Sequence, residues 1–425
     1  MAPPKVLVVG AGGREHALVR ALKRSAAAPE LLCAPGNPGI EADARLLAIA
    51  VDDIVGLADA AVDEGVDLVV IGPEVPLVAG LADELAACGI TVFGPSQAAS
   101  RLEGSKEYAK EVMEAAGVPT ARWSAVDDVD AGMAAIDSYP VVLKFDGLAA
   151  GKGVVIAADE AQALEALEAF LVERRFGPGR VVVEECLVGE ELSLLALCDG
   201  ERSLPMAPAQ DYKRIFDGDE GPNTGGMGSY SPVPGVGPER VAEMCTLVHQ
   251  PIVDLLRSRG TPFHGVLYAG IMLTADGPKV LEYNVRFGDP ETQAVLPRLR
   301  SDAYELLLAA ARPGGLEGVA LEFVDDWAVT LVLASAGYPG SPSTGDVISG
   351  LEGVGEGIEV THAGTKRRDD GAIVTAGGRV VNVTALGPTP ASARDAAYAA
   401  AHQIEFEGRQ LRGDIALRAV ERTSE

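Results

Sequence analysis

The sequence predicts an α/β fold with α+β parts, in which an N-terminal parallel-sheet domain precedes smaller mixed domains. Residues 5–100 alternate short apolar runs with helical patterns, as a series of βα units does. From about residue 105 the strands become more scattered, and a last group of strands and one helix follows a glycine-rich linker near residue 315. A chain of 425 residues is also too long for one core and predicts several domains.

The first domain opens on the strand KVLVVG, followed by the helix REHALVRALKRS. LLCAPG, VDLVVIGPE and GITVFGP are typical of further buried strands, and DIVGLADAAVDE of a helix between them. Glycine-rich turns follow these strands at their carboxyl ends, the edge at which open α/β sheets bind ligands.

The middle of the chain begins with the helix SKEYAKEVMEAAG, which ends at Gly117. We expect a small α/β unit from the strands YPVVLKFDG, GKGVVIAAD and RVVVEECL with the helix AQALEALEAFLVERR. GEELSLLALCDG predicts another strand, 211–238 a loop, and 265–289 a hairpin with Asp276-Gly277 in its turn. The last domain is predicted from the strands WAVTLVLAS, EGIEVTHAG, GAIVTAGG and RVVNVTALG and the helix ASARDAAYAAAHQI.

Composition excludes several functional classes. The formal net charge of -27 argues against a general nucleic-acid or acidic-membrane binder, because phosphate would be repelled, but it permits small phosphorylated ligands. The five cysteines lack C-x-x-C spacing and the five histidines lack metal-ligand spacing. With no apolar run long enough for a signal peptide or a membrane span, we expect a cytoplasmic protein.

The turn in VVGAGGREHA resembles a dinucleotide-binding fingerprint, but Glu15 stands at the third glycine position. The second strand also ends without an acid to hold a ribose, so a nicotinamide-dependent oxidoreductase is disfavoured. Gly12 and Gly13 at a helix N-terminus, with Arg14, still predict an anion site; the alternative is a tight turn needed only for packing. His16 is close enough to this turn to touch a ligand.

Two further loops, PGNPG with Asn37 and GPEVPL with Pro73 and Glu74, follow neighbouring strands. Alone each is a turn, but three loops at one sheet edge favour a pocket.

The stretch KFDGLAAGKG contains Lys144 and Lys152 among glycines, a composition that favours a phosphate-holding loop. It is not a Walker A motif, because the spacing of Gly147 and Gly151 is too short and Gly153 replaces the required hydroxyl residue.

Acids cluster in VVVEECLVGEE, where either a solvated acidic edge or a nucleotide edge fits the pattern, with Glu191 accepting ribose hydroxyls. In 211–232, Lys213 and Arg214 precede NTGGMG (223–228), whose backbone N–H groups can meet an anion; disorder is the alternative.

In VLEYNVRFGDPET, Glu282, Asn284 and Arg286 fall at alternate positions and face one side of a strand. Carboxylate and amide oxygens suit Mg²⁺, and arginine suits phosphate. The alternative is a cross-strand ion pair on a solvated face.

Together these motifs resemble the phosphoribosylamine–glycine ligase family (glycinamide ribonucleotide synthetases) of the ATP-grasp superfamily. The matching stretches run in family order over nearly the whole chain and include VVGAGGREHAL, APGNPG, IGPEVPLVAG, LEGSK, KFDGLAAGKGV, VEECLVGEELS, DYKR, GPNTGGMGSYSP, LEYNVRFGDPETQ, HAGTK and GGRVVNVTALG. Phe145 and Cys186 depart from the family pattern and imply altered packing around the adenine.

The resemblance implies four domains: an N-terminal α/β domain (1–104), an ATP-grasp central domain (105–118 and 189–322), an ATP-grasp lid (119–188) and a C-terminal domain (323–425). It implies that ATP is bound by Lys106, Lys144, Lys152, Gly153, Glu184, Glu185, Leu187 and Glu191, with Glu282 and Asn284 holding Mg²⁺ or Mn²⁺. The implied catalytic residues are Arg286, Lys152 and Asp289. Substrate is implied to meet Gly12, Gly13, Arg14, Asn37, Pro73, Glu74, Asp211, Lys213, Arg214, Thr224, Gly225, Gly226, Met227 and Gly228.

The implied activity joins glycine to 5-phosphoribosylamine with ATP cleaved to ADP and phosphate, in a cytoplasmic monomer that binds no nucleic acid or membrane. An ATP-grasp carboxylase or other carboxylate–amine ligase of purine biosynthesis is the nearest alternative. A non-catalytic nucleotide-binding regulator would not need Glu282, Asn284 and Arg286 on one face.

Overall fold

A computed structural model describes residues 2–149 and 153–424 of the chain. The first part contains strands β1 (Lys5–Gly10), β2 (Glu30–Pro35), β3 (Arg45–Leu46), β4 (Leu68–Ile71) and β5 (Thr91–Phe93), and helices α1 (Gly13–Lys23), α2 (Ile54–Asp63), α3 (Glu74–Ala79), α4 (Leu81–Ala87) and α5 (Gln97–Gly104). The strands form one parallel sheet in the order β3-β2-β1-β4-β5. The predicted N-terminal parallel sheet is confirmed, and its apolar strands are buried because helices cover both faces.

The next part folds into a small antiparallel sheet backed by helices. Helix α6 (Lys106–Ala116) precedes this unit and packs against α5, and the unit itself contains β6 (Trp123–Val126), α7 (Val129–Ala134), β7 (Val141–Phe145), β8 (Val154–Ala157), α8 (Glu160–Leu167) and β9 (Val181–Glu185). The strand order is β6-β9-β7-β8, and Gly117 ends α6 in the left-handed conformation that glycine adopts without strain. Phe145 packs against Phe170 and Phe176 in the core of this unit, with ring centroids 6.2 and 5.5 Å away.

A longer stretch follows, with strands β10 (Glu190–Asp199), β11 (Ser203–Pro205), β12 (Gln210–Asp211), β13 (Arg214–Phe216), β14 (Glu220–Asn223), β15 (Gly228–Ser231), β16 (His264–Thr274) and β17 (Gly277–Asn284), and helices α9 (Pro238–Val248), α10 (Gln250–Ser258), α11 (Glu291–Val295) and α12 (Ala303–Ala310). An antiparallel sheet takes the order β11-β10-β16-β17. The predicted hairpin is therefore confirmed as β16 and β17.

The last part contains β18 (Trp327–Ala334), β19 (Ile358–His362), β20 (Thr365–Arg367), β21 (Ile373–Thr375), β22 (Arg379–Gly387), α13 (Pro390–Ala401) and α14 (Leu417–Ser424). Among residues 2–149 and 153–424, every helix is too short or too polar to cross a bilayer.

The prediction of a loop over 211–238 is wrong. β13 and β14 pair as a hairpin, while β12 and β15 join the C-terminal sheet in the order β12-β15-β18-β22-β19. These strands are only two to four residues long, and β15 pairs with a strand about a hundred residues further along the chain. A local apolar pattern cannot signal such pairing, because it depends on a distant partner.

Candidate active site

The glycine turn after β1 is closed by Glu15. The Gly12 N–H donates to Glu15 Oε2 at 2.6 Å, and Arg14 Nε donates to Glu15 Oε1 at the same distance. A side chain at Gly72, on the next loop, would overlap this carboxylate. Glu15 therefore supplies the anion for the Gly12 N–H, and the expectation that this donor is free for a ligand is wrong.

Asn37, at the second loop, uses its amide group entirely within the protein. Its Nδ2 donates to the carbonyl oxygens of Ala11 (2.8 Å) and His362 (2.9 Å). Its Oδ1 accepts from the N–H groups of Gly39 (2.9 Å) and Ile40 (3.0 Å). The side chain thus ties the first sheet to the C-terminal part.

His16 is fully buried in the same joint. Its Nδ1 accepts from the His362 N–H at 2.9 Å, and its Nε2 lies 3.5 Å from Asp43 Oδ2. Burial lowers the pKa of His16, although the hydrogen bond with Asp43 opposes this. The expectation that His16 touches a ligand is wrong, because both ring nitrogens face protein groups.

Lys144 on β7 lies in a buried ion cluster. Its Nζ is 3.0 Å from Glu184 Oε1 and donates to the Leu281 carbonyl oxygen at 2.9 Å. The other carboxylate oxygen of Glu184 accepts from Lys110 Nζ at 2.9 Å. The Glu184 side chain therefore faces the interior, and its backbone lies in β9, which is paired with β6 on one side and β7 on the other.

The predicted phosphate loop begins beside Lys106. Lys106 Nζ donates to the Gly147 carbonyl oxygen at 2.9 Å, and Asp146 accepts from Ser105 Oγ and the Glu107 N–H, both at 3.2 Å. Burial lowers the pKa of Lys106, against the attraction of Glu282. Gly153 is buried, and Lys152 lies outside the described residues.

The ring of Phe145, the first departure from the family pattern, packs inside the lid core against Phe170 and Phe176. Along the predicted adenine edge, Glu185 accepts from the backbone N–H and Nε of Arg122, both at 3.0 Å, and lies 3.6 Å from Lys279. Leu187 follows directly after β9. Cys186 is half-buried, and burial raises the pKa of its thiol.

Glu191 and Lys213 form an ion pair at 3.0 Å. Burial raises the pKa of Asp211 to about 7; Lys213 lowers it, while Glu291 and Glu191 add to the rise. Arg214 Nη1 donates to the Gly221 carbonyl oxygen at 2.6 Å and so holds the β13–β14 hairpin.

The loop 223–228 does not present free donors as predicted. Four of its backbone N–H groups donate to protein acceptors: Thr224 to Lys213 O (2.7 Å), Gly225 to Tyr338 Oη (2.9 Å), Gly226 to Thr224 Oγ1 (3.0 Å) and Met227 to Tyr212 O (2.7 Å). Met227 is buried, and Gly228 begins β15. An anion site made of several of these N–H groups therefore does not exist in this structure.

Glu282 is enclosed by cations. Burial raises the pKa of its carboxyl, but Lys213, Lys144, Lys106 and Arg286 outweigh it and hold the pKa below its ordinary value. Its cross-strand neighbour is Gly270, so the alternative of a cross-strand ion pair fails.

Asn284 and Arg286 lie next to Glu282. Arg286 Nη2 donates to Asn284 Oδ1 at 3.2 Å and to Glu103 Oε1 at 2.9 Å, and its Nε is 3.4 Å from Glu74 Oε2. Burial lowers the pKa of Arg286, and Glu103 and Glu74 outweigh this and raise it. Loops of the first domain thus orient the arginine at the end of β17.

A divalent cation fits the donor set here. Glu282 is held ionised, and Asn284 adds an amide oxygen, both hard ligands that suit Mg²⁺. Among the described residues, no group of three acidic, histidine or cysteine side chains is arranged to hold a metal. Two protein oxygens without an all-protein cage are typical of Mg²⁺ that is completed by phosphates and water.

Asp289 meets a residue from the C-terminal sheet. Arg379 Nη2 lies 3.3 Å from Asp289 Oδ2, and its Nη1 donates to the carbonyl oxygens of Asp289 and Gly225, both at 2.6 Å. Burial raises the pKa of Asp289, but Arg379 and Arg14 outweigh it and lower the pKa.

Sequence reasoning missed four residues of this site: Glu15, Glu103, Lys110 and Arg379. Their motifs, VVGAGGREHAL, LEGSK and GGRVVNVTALG, were visible, and Lys110 lies one helical turn after Lys106. Nothing local indicated which partner each side chain would find, because those partners come from distant segments.

Three family descriptions match consecutive parts of the chain. They are the phosphoribosylglycinamide synthetase N domain over 4–103, the ATP-grasp (A) domain over 104–292 and the C domain over 328–418.

Individual proteins agree with this match. A phosphoribosylamine–glycine ligase of Streptomyces coelicolor is 51% identical over 98% of this chain and 99% of its own length. The crystal structure of a phosphoribosylamine–glycine ligase from Thermotoga maritima superposes with a TM-score of 0.82 at 33% identity, covering 97% of this chain and all of that one. The biotin carboxylase domain of Hydrogenobacter thermophilus 2-oxoglutarate carboxylase, solved with MgADP, ADP and bicarbonate, shares the fold at a TM-score of 0.71 and 19% identity; the alignment covers 96% of this chain and 91% of that one.

Proposed function

Because the chain belongs to the phosphoribosylglycinamide synthetase family and is a ligase that uses glycine in purine biosynthesis, we propose how its residues carry out that reaction. The enzyme joins glycine to 5-phosphoribosylamine, and ATP is cleaved to ADP and phosphate. The observation that carries the residue assignment is the side-chain array at the end of β17, where Arg286 Nη2 donates to Asn284 Oδ1 at 3.2 Å and to Glu103 Oε1 at 2.9 Å, beside Glu282, whose carboxyl four cations hold ionised.

The nucleotide lies between the lid and the central sheet. Lys106 and Lys144 neutralise its phosphates, since both ammonium groups belong to the cation group around Glu282. Glu184, Glu185 and Leu187 line the adenine at the end of β9. The Glu184 and Glu185 side chains are engaged elsewhere and the Glu185 N–H donates to the Arg122 carbonyl oxygen at 3.0 Å, so pairing with the base falls to the backbone from the Glu185 carbonyl to Leu187.

Two assignments around the nucleotide have separate support. Glu191 accepts the ribose hydroxyls while Lys213 holds its carboxylate. Lys152 and Gly153 complete the phosphate loop; for Lys152 this rests on the motif alone.

Glu282 and Asn284 would hold Mg²⁺ or Mn²⁺. The cation supplies charge neutralisation at the transferred phosphoryl group. Arg286, fixed by Glu74 and Glu103, directs a guanidinium at the same phosphate without itself losing a proton.

No enzyme nucleophile takes part in the proposed chemistry. A glycine carboxylate oxygen attacks the γ-phosphorus and ADP leaves, which gives glycyl phosphate. The amine of phosphoribosylamine then attacks the acyl carbon, phosphate leaves with the acyl oxygen, and the amine gives up a proton. The Asp289 carboxylate, which Arg379 keeps ionised, orients glycine by binding the ammonium group of glycine. The enzyme contributes position and charge, and a closed lid excludes water.

We propose that phosphoribosylamine lies along the edge of the first sheet, beside Gly12, Gly13, Arg14, Asn37, Pro73 and Glu74, and on the side formed by Asp211, Lys213, Arg214 and 224–228. The N–H groups of Gly12 and 224–227 are engaged within the protein, so these residues would shape the pocket while side chains meet the substrate. Asn37 contributes by shaping the loop, because its amide is fully used. We retain the proposed division into domains 1–104, 105–118 with 189–322, 119–188 and 323–425. We also propose a cytoplasmic monomer, which sedimentation velocity tests.

The reaction is tested by ADP release with each substrate omitted in turn. We expect release only when glycine and phosphoribosylamine are both present. Release that needs only one of them, or that needs bicarbonate and an aminoimidazole substrate, would favour the ATP-grasp carboxylase alternative.

The metal assignment is tested by Glu282→Ala. This change removes the ionised ligand among four cations, so we expect ADP release to fall below detection while the fold, followed by circular dichroism, is kept. Near-normal turnover in this variant would refute the assignment. Glu220→Ala, on the exposed β14 edge, is the matched control.

A further inference from the structure

Lys110, which no assignment so far uses, is buried on α6 with only 2% of its surface exposed. Its Nζ donates to Glu184 Oε2 at 2.9 Å and to Thr120 Oγ1 at 2.7 Å. Glu184 Oε1 lies 3.0 Å from Lys144 Nζ. One buried carboxylate therefore stands between two buried ammonium groups, each on its own oxygen.

This cluster lies where the lid meets the central sheet. Lys144 and Glu184 come from the lid strands β7 and β9, and Lys110 comes from the helix before the lid. The cluster reaches β17 by two hydrogen bonds, from Lys144 Nζ to the Leu281 carbonyl oxygen (2.9 Å) and from Thr120 Oγ1 to the Val280 carbonyl oxygen (2.6 Å). These carbonyls belong to the two residues immediately before Glu282, the proposed metal ligand.

The charges of the cluster decide what Lys144 can do. With Glu184 alone, the Lys144 ammonium would form a closed neutral pair and would be weakly attractive to phosphate. A second ammonium on the same carboxylate leaves one positive charge in excess. The Glu282 carboxylate also attracts Lys144, but it is shared among four cations and is the proposed metal ligand. Unpaired charge is costly in a buried place, so the excess is best satisfied by an anion in the adjacent cleft.

We propose that Lys110 is a positioning residue for nucleotide binding, which neutralises Glu184 and so leaves the charge of Lys144 available to the ATP phosphates. The proposal rests on the proposed role of Lys144. It assigns a task to a side chain that need not touch the nucleotide itself.

A double-mutant cycle tests the proposal, with the Michaelis constants for ATP and glycine and calorimetric binding of ADP with Mg²⁺ as readouts. Lys110→Met removes the second ammonium and leaves Lys144 paired with Glu184. We expect the ATP constant and the ADP dissociation constant to rise roughly tenfold to a hundredfold, the range for losing a charge-assisted contact. The glycine constant should change by less than about twofold, a split that a general loss of structure would not give.

In the double variant Lys110→Met with Glu184→Gln, the cluster again has one positive charge, and the glutamine oxygen still accepts from Lys144. We expect its ATP constant to return to within about threefold of wild type, whereas independent structural damage would add up. An ATP constant that is unchanged in Lys110→Met, or no better in the double variant than in Lys110→Met, would overturn the proposal.

A second comparison keeps the proposal testable if Lys110→Met does not fold. Burial lowers the pKa of Lys110 to about 8, against the attraction of Glu184, so the ammonium is held here against a desolvation cost that the neutral methionine side chain does not have. If Lys110→Met still fails to fold, Glu184→Gln is compared with the double variant. Without the Glu184 carboxylate, Lys110 has no negative charge to neutralise and should be dispensable. The Michaelis constants for ATP of Glu184→Gln and of the double variant should then agree within about threefold, and a tenfold difference would overturn the proposal.

Two further variants separate this proposal from the proposed function. Lys144→Met that binds ADP as wild type does would refute the role of Lys144 itself. Weakened binding in Lys144→Met with normal binding in Lys110→Met would refute only the role of Lys110. Glu114→Gln, which changes one charge on the exposed face of α6, is the matched control.

Discussion

At the scale of single residues, Glu103 holds Arg286, the proposed catalytic arginine. One oxygen accepts from Arg286 Nη2 at 2.9 Å and the other accepts from the Val285 N–H at 2.8 Å. We expect Glu103→Gln to lower kcat/KM for ATP roughly tenfold to a hundredfold, because one of these two donors loses its acceptor. Steady-state kinetics measure kcat/KM for ATP in this variant. Glu107→Gln, which breaks an ion pair with Arg180, is the control. Equal losses in both variants would contradict the prediction.

His249 makes stability depend on pH. It is fully buried, with its ring near Tyr283, and burial lowers its pKa to about 4 from 6.5, while hydrogen bonds to the Leu194 and Leu267 backbone oppose the shift. Between pH 6.5 and 4 the unfolded chain takes up a proton here that the folded chain does not. Stability therefore falls as the pH drops through this window, by about 3 kcal/mol in total from this group.

Urea unfolding at several pH values checks this. His249→Phe keeps a ring beside Tyr283 but cannot titrate, so its stability should fall by about 3 kcal/mol less than that of wild type between pH 6.5 and 4. His402→Gln, at an exposed position, is the control and should follow wild type. Parallel curves for wild type and His249→Phe would show that His249 is not responsible.

The sequence predicts functional side chains where a motif carries the chemistry, as at Glu282, Asn284 and Arg286, which alternate along one strand. It does not predict which side chains they contact. Glu15 fills the place of a missing glycine and binds the turn itself, and Glu184 turns from the predicted nucleotide edge toward two lysines. Such choices depend on which buried charges lie opposite, and local spacing does not encode them.

At the scale of elements, the lid sheet depends on a cluster of three phenylalanines. Phe145 contacts both other rings, and the next two residues begin the proposed phosphate loop. We expect Phe145→Ala to destabilise the lid by about 3–5 kcal/mol, because a buried ring is replaced by a cavity. Hydrogen exchange should rise in β7 and β9 and stay unchanged in β1 and β4. Phe216→Ala, at a ring that is 56% exposed, is the control and should leave exchange in the lid unchanged.

Long apolar elements were predicted well because each carries its own period, as the parallel strands of the first sheet and the β16–β17 hairpin do. Elements of two to four residues in 211–231 were missed, and so was α14 at the C-terminus. β15 forms because a long neighbour, β18, offers it an edge, and β12 pairs in turn with β15. The fully buried Arg412 donates to the Arg214 carbonyl oxygen at 2.9 Å.

At the scale of the whole molecule, Asn37 is a joint between the first sheet and the C-terminal part. Removing its amide leaves two carbonyls and two N–H groups without their partner, at a cost of roughly 1–3 kcal/mol for each group left buried. We therefore expect Asn37→Ala to lower the midpoint of thermal unfolding and to separate it into two transitions in calorimetry. Asn37→Asp keeps both acceptor contacts but turns a carboxylate oxygen toward the Ala11 and His362 carbonyl oxygens, so it should not restore the wild-type midpoint. A single unshifted transition in Asn37→Ala would contradict this role.

The order of the parts along the chain was predictable, because each part has its own pattern of strands and helices. Their mutual contacts were not, since Arg379 and Asp289 are 90 residues apart and meet only when three parts of the chain are assembled.

The cations enclosed around Glu282 have a kinetic consequence, because the chain as a whole carries a formal charge of -27. An approaching nucleotide is repelled by the acidic exterior at long range and attracted only near the cleft. At an ionic strength of ~0.1 M the screening length is about 10 Å. Salt therefore weakens the long-range repulsion between the nucleotide and the acidic surface more than the short-range attraction by the cations in the cleft. ATP association should thus accelerate as salt is added to a dilute buffer, the reverse of ordinary electrostatic steering.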